Sequence, residues 1–224
     1  MAVNVDHRDC GDTDAREVIR RALAAADQTG RPLLVGMQRP TDWSFEDQMA
    51  LLRPGDVVTY MYRREPHCII ENGRVHPALR EARERGILFD VGHGFFSFDF
   101  EVAEAAIADG FAPDTISTDS HAMHVGARPA HDLPRTLSKL IAAGMPEADA
   151  LAAVSVRPAR VLGLADEIGK LAPGACADLT VLQRSPDGPP LTDAFGNQRK
   201  SCCLQTALTV RAGSIVERVP SGDD

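Results

Sequence analysis

Apolar and β-branched residues in this chain gather into short runs, separated by stretches in which they recur every three to four positions. The runs AVNV (2–5), PLLVGM (32–37), DVVTYMY (56–62), ILFDVG (87–92) and DTISTD (114–119) have strand length, and each precedes a helical pattern. Helix punctuation agrees. The periodic stretch 15–29 follows Asp12, Thr13 and Asp14 and stops at Gly30, and Ser44 with Asp47 predicts an N-terminal cap for a helix over 45–52. Pro77 opens a helix within 76–85 that Gly86 closes, and Ser97 or Asp99 opens one that Gly110 closes. Strand starts recur about every 24 to 31 residues, the period of a βα unit, which predicts an α/β fold with a parallel sheet covered by helices.

Beyond the fifth run the pattern becomes purely helical, over 133–143, 147–154 and 158–164. From Gly169 onward, strand patterns at 177–182 and 207–219 flank the loop SPDGPPLTDAFGN, and a hairpin turn is predicted at 211–214. The expected organisation is a first domain over 1–165, a small β appendage over 166–219 and a disordered acidic tail over 220–224.

A net charge of −8, from 24 Lys and Arg against 32 Asp and Glu, argues against an electrostatic grip on nucleic acid or anionic lipid. A small solute is the expected partner. The five cysteines are irregularly spaced with no CxxC pair, which predicts reduced thiols, with Cys202 and Cys203 as packing residues. No stretch approaches the roughly 18 apolar residues of a membrane span, and the start MAVNVDHRDCGD lacks a signal-peptide core. A cytoplasmic protein is expected.

Four segments carry a family resemblance: RPGDVVTYMYR (53–63), REARERGILFDVGHGFFSF (80–98), PDTISTDSH (113–121) and RPARVLGLADEIGKLAPGACADLTVL (157–182). Together they resemble the C-terminal part of the amidohydrolase and deacetylase metallohydrolases, relatives of dihydroorotase. The resemblance implies a (β/α)8 TIM-type barrel with one or two divalent metals, zinc among them, at the C-terminal strand ends. There the metal activates a water that attacks an amide, ester or cyclic imide. By this resemblance the five runs become strands 4 to 8 of a partial barrel, and strands 1 to 3, with their HxH ligand pair, are expected to lie outside this chain.

The ligands implied on those strands are a carboxylated lysine on strand 4, histidines on strands 5 and 6, and an aspartate on strand 8. Asp119 stands at the strand-8 place, as ligand and catalytic base. At the other three stand Asn4, Gly36 and Tyr60, and the chain has no lysine before Lys139. Glycine has no ligand atom, and a phenol with a pKa near 10 substitutes poorly for imidazole. A degenerate metal site follows, rebuilt only if His93 and His121 converge with Asp119; His67 and Cys68 offer a weaker alternative.

Other positions have two readings each. His93, between Gly92 and Gly94, is a catalytic candidate or a hydrogen-bonding residue of the loop. His121 and His124 are substrate contacts or exposed loop histidines. Arg63 and Arg64 are carboxylate-binding or solvated. Gly92 and Gly94 are expected to permit close backbone approach or positive φ. No GxGxxG, Walker or GxSxG sequence is present.

Three functions compete. One is a metal-dependent hydrolase of small N-acyl or cyclic amides, with Asp119 as base and another polypeptide completing the site. The second is a non-catalytic pseudoenzyme or interaction subunit. The third is metal-independent acid and base chemistry from Tyr60, His93 and Asp119. A five-stranded partial barrel also leaves open edges, so a homo-oligomer or a partner chain is expected to cover it.

Overall fold

The computed structural model describes residues 2–5 and 11–216. The chain begins with β1 (Ala2–Val3), α1 (Ala15–Thr29), β2 (Leu34–Gly36), α2 (Phe45–Ala50) and β3 (Val57–Thr59). A hairpin of β4 (Ile70–Glu71) and β5 (Arg74–Val75) precedes α3 (Pro77–Glu84), β6 (Leu88–Phe89) and α4 (Phe100–Ala108). Three helices follow, α5 (Leu133–Ala142), α6 (Glu147–Ala153) and α7 (Val156–Val161). The C-terminal strands are β7 (Leu179–Ser185), β8 (Leu191–Thr192), β9 (Gln198–Arg199), β10 (Cys203–Arg211) and β11 (Ser214–Val216). The acidic tail and Cys10 lie outside the described residues.

Strands β1, β2, β3 and β6 form a parallel sheet in that order, in register through Val3 with Val35, Val35 with Val58 and Val58 with Phe89. The α/β class with a parallel sheet is therefore observed. The fifth predicted strand is reduced to one parallel bridge between Asp90 and Thr115. Its backbone explains the reduction: the Ile116 N–H donates to the Ala153 carbonyl at the end of α6 instead of to a neighbouring strand. The segment stays aligned with the sheet because Val91, His93 and Gly94 donate their N–H groups to the carbonyls of Thr115, Ser117 and Thr118.

Local signals set most helix ends. The Ser44 hydroxyl accepts from the Asp47 N–H while the Asp47 carboxylate accepts from the Ser44 N–H, a reciprocal capping box. Gly30 ends α1 in the left-handed conformation, and Asp99, not Ser97, caps α4 by accepting from Glu101 and Val102. α7 begins at Val156, two residues ahead of its predicted start at Pro158. There the proline occupies the first helical turn, where a missing N–H costs nothing.

The core packs Val35, Val58 and Phe89 of the sheet, with Val91 just beyond it, against Met49, Leu79, Phe100 and Leu140 of the helices and Phe111 after α4. The appendage shares it. Leu191, Cys203 and Leu204 are buried in the same cluster, and the Leu204 N–H donates to Ser138 of α5 at 2.8 Å. A three-stranded antiparallel sheet, β11-β10-β7, continues outward with its hairpin turn at Ala212 and Gly213, both at positive φ.

One buried carboxylate links the strands below the site. Asp90, 3% exposed, accepts hydrogen bonds from the hydroxyls of Thr59, Thr115 and Ser117 at 2.7, 2.7 and 2.6 Å. Burial pushes its pKa up, and the hydroxyl donors with the Gly92 N–H oppose that push. Replacing Asp90 with alanine leaves three inward hydroxyls unpaired. Asp90→Ala is expected to lose about 2–4 kcal/mol in denaturant unfolding; an unchanged midpoint would show that the carboxylate holds nothing together.

Candidate functional site

The C-terminal ends of β1, β2 and β3 and the 115–119 segment open onto a cavity of about 340 Å³. Asn4, Gly36, Thr59, Tyr60, Ser117, Thr118 and Asp119 line its polar end. The structure thus brings together the four positions that the resemblance equates with metal ligands. Tyr60 and Asp119 both have left-handed backbones, with φ of 67° and 50°. For a bulky residue such as Tyr60 that conformation is strained, and it recurs where packing dictates where a side chain points.

The Tyr60 side chain lines the cavity with the Asn4 carboxamide and the Asp119 carboxylate. Burial, then the Asp119 charge, raises the phenol pKa while Asn4 opposes them, so Tyr60 is a neutral donor at pH 7. The Arg63 guanidinium lies over the Tyr60 ring at 5.6 Å from its centroid. The glycines around these side chains are spaces. A Cβ on Gly92 would lie 2.1 Å from the Thr59 hydroxyl and 2.7 Å from the Tyr60 ring, and one on Gly94 would lie 2.8 Å from the Asp119 carboxylate. Both glycines also have positive φ, as their positions beside His93 suggest.

His93 is placed elsewhere. It is buried, stacked on Phe98 at 4.9 Å, and does not line the cavity. Its Nδ1 lies 2.7 Å from the Gly94 carbonyl and its Nε2 lies 2.6 Å from Lys139 Nζ. The ammonium can only donate, so Nε2 accepts and Nδ1–H donates to Gly94. Burial, then the Lys139 charge, pushes the His93 pKa from 6.5 down to about 3. Burial, then Arg135, pushes Lys139 from 10.5 down to about 8. Lys139 is the residue that sequence reasoning passed over. Its one signal is its place three residues after Thr136, on the buried face of α5.

The loop histidines steady the end of the 115–119 segment. His121 Nδ1 and His131 Nε2 donate to the carbonyls of Asp119 and Thr118 at 3.0 and 2.8 Å. His124 stacks between Phe95 and His131 at 3.8 and 4.0 Å, and burial lowers its pKa. Arg64 pairs with Asp99, the cap of α4, rather than turning to the cavity.

A metal site rebuilt from Asp119, His93 and His121 is not formed. Both His93 nitrogens are engaged away from Asp119, and His121 uses Nδ1 on the Asp119 backbone. Among the described residues no group of three or more His, Cys, Asp or Glu is arranged to hold a metal ion. The cavity supplies one carboxylate, a carboxamide and a phenol, and the last two cannot replace imidazole or thiolate donors around zinc. These residues do not fit a divalent metal.

With this geometry described, comparison with known proteins places the fold. The amidohydrolase family profile matches residues 58–215. The chain belongs to the amidohydrolase family. A deacetylase of Brucella anthropi is 35% identical over 167 residues, and one of Agrobacterium fabrum is 36% identical over 167 residues. Each alignment covers 74% of this chain but only 41% and 40% of the relative, so the chain spans about two-fifths of the length of the deacetylases it matches. Among solved structures, an adenine deaminase matches with a TM-score of 0.85 at 26% identity, covering 97% of this chain and 59% of that one. A dihydroorotase matches with a TM-score of 0.79 at 29% identity, covering 96% of this chain and 58% of that one. No helix among the described residues of this amidohydrolase is long and apolar enough to cross a membrane.

The His93 geometry gives a pH dependence of defined sign. Its folded pKa lies below its unfolded value, so the unfolded chain binds the extra proton between pH 6.5 and about 3. His93 therefore contributes full stability above pH 6.5 and loses at most about 1.4 kcal/mol per pH unit below it. His93→Asn, compared by denaturant unfolding across that range, is expected to show a shallower acid limb. An equally steep limb would mean that His93 is not buried neutral.

Proposed function

We propose that this amidohydrolase binds a small N-acyl or cyclic amide, or a related carboxylate-bearing solute, at the strand-end cavity without a metal of its own. On this reading the chain corresponds to strands 4 to 8 of a partial barrel. The observation that supports it most is the polar set itself: Asp119 beside a neutral phenol and a carboxamide, where the residues fit no metal. Asp119 accepts the N–H of the solute. The Asn4 carboxamide and Tyr60 meet its carbonyl. Arg63 at the rim pairs with a carboxylate on the solute, and His121, on the same loop as Asp119, contacts its exposed end. The 340 Å³ cavity suits a solute of amino-acid or small-heterocycle size.

Chemistry at this site rests on Asp119 and Tyr60 as acceptor and donor, with Thr59 and Ser117 committed to Asp90. His93 acts as a positioning residue. Through Gly94 it holds the loop against Asp119, and it reaches no substrate. This reading makes the chain a binding relative of the deacetylases rather than a self-sufficient hydrolase.

A second reading is favoured by two observations: Asp119 has its carboxylate at the cavity, and the matched deacetylases are much longer than the matched region. Here another polypeptide, or a second copy of the chain, adds ligands, and the site hydrolyses its amide. Such a partner would cover the β1 edge, which pairs only with β2 among the described residues.

Calorimetry with a panel of N-acyl amino acids and cyclic imides separates these cases. Binding is expected, weakened at least tenfold by Asp119→Asn, with Arg63→Ala weakening only the carboxylate-bearing members. No binding by any member would refute the binding reading. Release of acyl group or ring opening by the chain alone would replace it with the hydrolase reading.

A further inference from the structure

Gly36 lies in β2 with ordinary strand geometry, so its backbone makes no demand for glycine. Space does. A Cβ at this position would lie 2.3 Å from Asn4 Oδ1 and 3.2 Å from both Cδ2 and Cε2 of Tyr60. Real Cβ atoms essentially never come within 3.0 Å of a neighbour, so Asn4 must move, and Tyr60 must give by a few tenths of an ångström. The Gly36 carbonyl is held at 2.9 Å by the buried Gln48 side chain, and β2 is paired on both sides, so the strand cannot withdraw to make room. Asn4 and the Tyr60 ring thus border the same space in front of Gly36, and both line the cavity together with Asp119.

The replacements are therefore linked. Any side chain at 36 displaces Asn4, and displacing Asn4 removes a neighbour of Tyr60. We propose that Asn4, Gly36 and Tyr60 form one interlocked polar plug that occupies the space a metal would need beside Asp119, making Gly36 the residue that excludes metal and shapes the site for hydrogen-bonding organic ligands. Here the carboxamide and the phenol fill the space that the glycine leaves. This inference rests on the metal-free reading of the site above, but its test uses no organic ligand, so it stands or falls separately from amide binding.

A double-mutant cycle tests the interlock. Gly36→Ala is expected to lower the thermal midpoint by about 2–4 °C, which for a chain of this size is on the order of 1 kcal/mol. The same substitution in an Asn4→Ala background is expected to cost less than half of that shift. Additive effects would overturn the proposal. If Gly36→Ala does not fold, recovery of folding in Asn4→Ala/Gly36→Ala supports the interlock, and failure of both overturns it. Zinc alone, followed by equilibrium dialysis, probes metal exclusion. The triple variant Asn4→Ala/Gly36→His/Tyr60→His, which opens the space and supplies two imidazoles beside Asp119, is expected to bind zinc at least tenfold more tightly than Gly36→His alone. Equal binding by the two, or none by either, would overturn the claim that the plug keeps metal out.

Discussion

The buried carboxylate of Asp90 is the interaction on which the site geometry depends. A charge placed where water cannot reach it is costly unless donors surround it, and Thr59, Thr115 and Ser117 each turn a hydroxyl inward to do so. Those hydroxyls come from β3 and from the 115–119 segment, whose backbone is too irregular to hold a full ladder. The carboxylate stands in for the missing strand pairing. It brings Tyr60, one residue past Thr59, and Asp119, two residues past Ser117, to the rim of the same cavity. A second layer supports the rim from outside: Lys139 holds His93, His93 holds Gly94, and Gly94 leaves room for the Asp119 carboxylate.

Polar groups at this rim divide sharply by commitment. Asp90, His93, Lys139, Thr59 and Ser117 are saturated by one another and do structural work. Asp119 is exposed, and Asn4 and Tyr60 are half-buried, so these three face a ligand. The division explains why the histidines among the described residues assemble no metal site. His93, His121 and His131 spend nitrogens on carbonyls or on Lys139, and His124 spends its rings on stacking.

Local features were legible in the sequence where local physics decides them. The Ser44 and Asp47 capping box, the Gly30 stop, the Asp99 cap and the turn near Ala212 each depend on a few adjacent residues. The four parallel strands followed from β-branched runs spaced at the βα period, and the family followed from motifs such as the segment around Asp119. The fifth strand did not, because whether 114–119 pairs fully depends on where Ile116 sends its N–H, and that is set by α6 far along the chain. The Asp90 network and the Lys139 to His93 contact were equally hidden, since each needs groups more than twenty residues apart. Gly36 is the sharpest case. In sequence it marks a lost ligand; in three dimensions it marks a space filled by Asn4 and Tyr60.

The account turns on a strand-end site in which Asn4 and Tyr60 crowd the space in front of Gly36 beside the Asp119 carboxylate. Metal analysis of the purified, folded chain after equilibration with zinc tests this most directly. The account predicts far less than one equivalent of zinc per chain, with no change on Asp119→Asn. One or more equivalents, lost on Asp119→Asn while the protein stays folded, would contradict it.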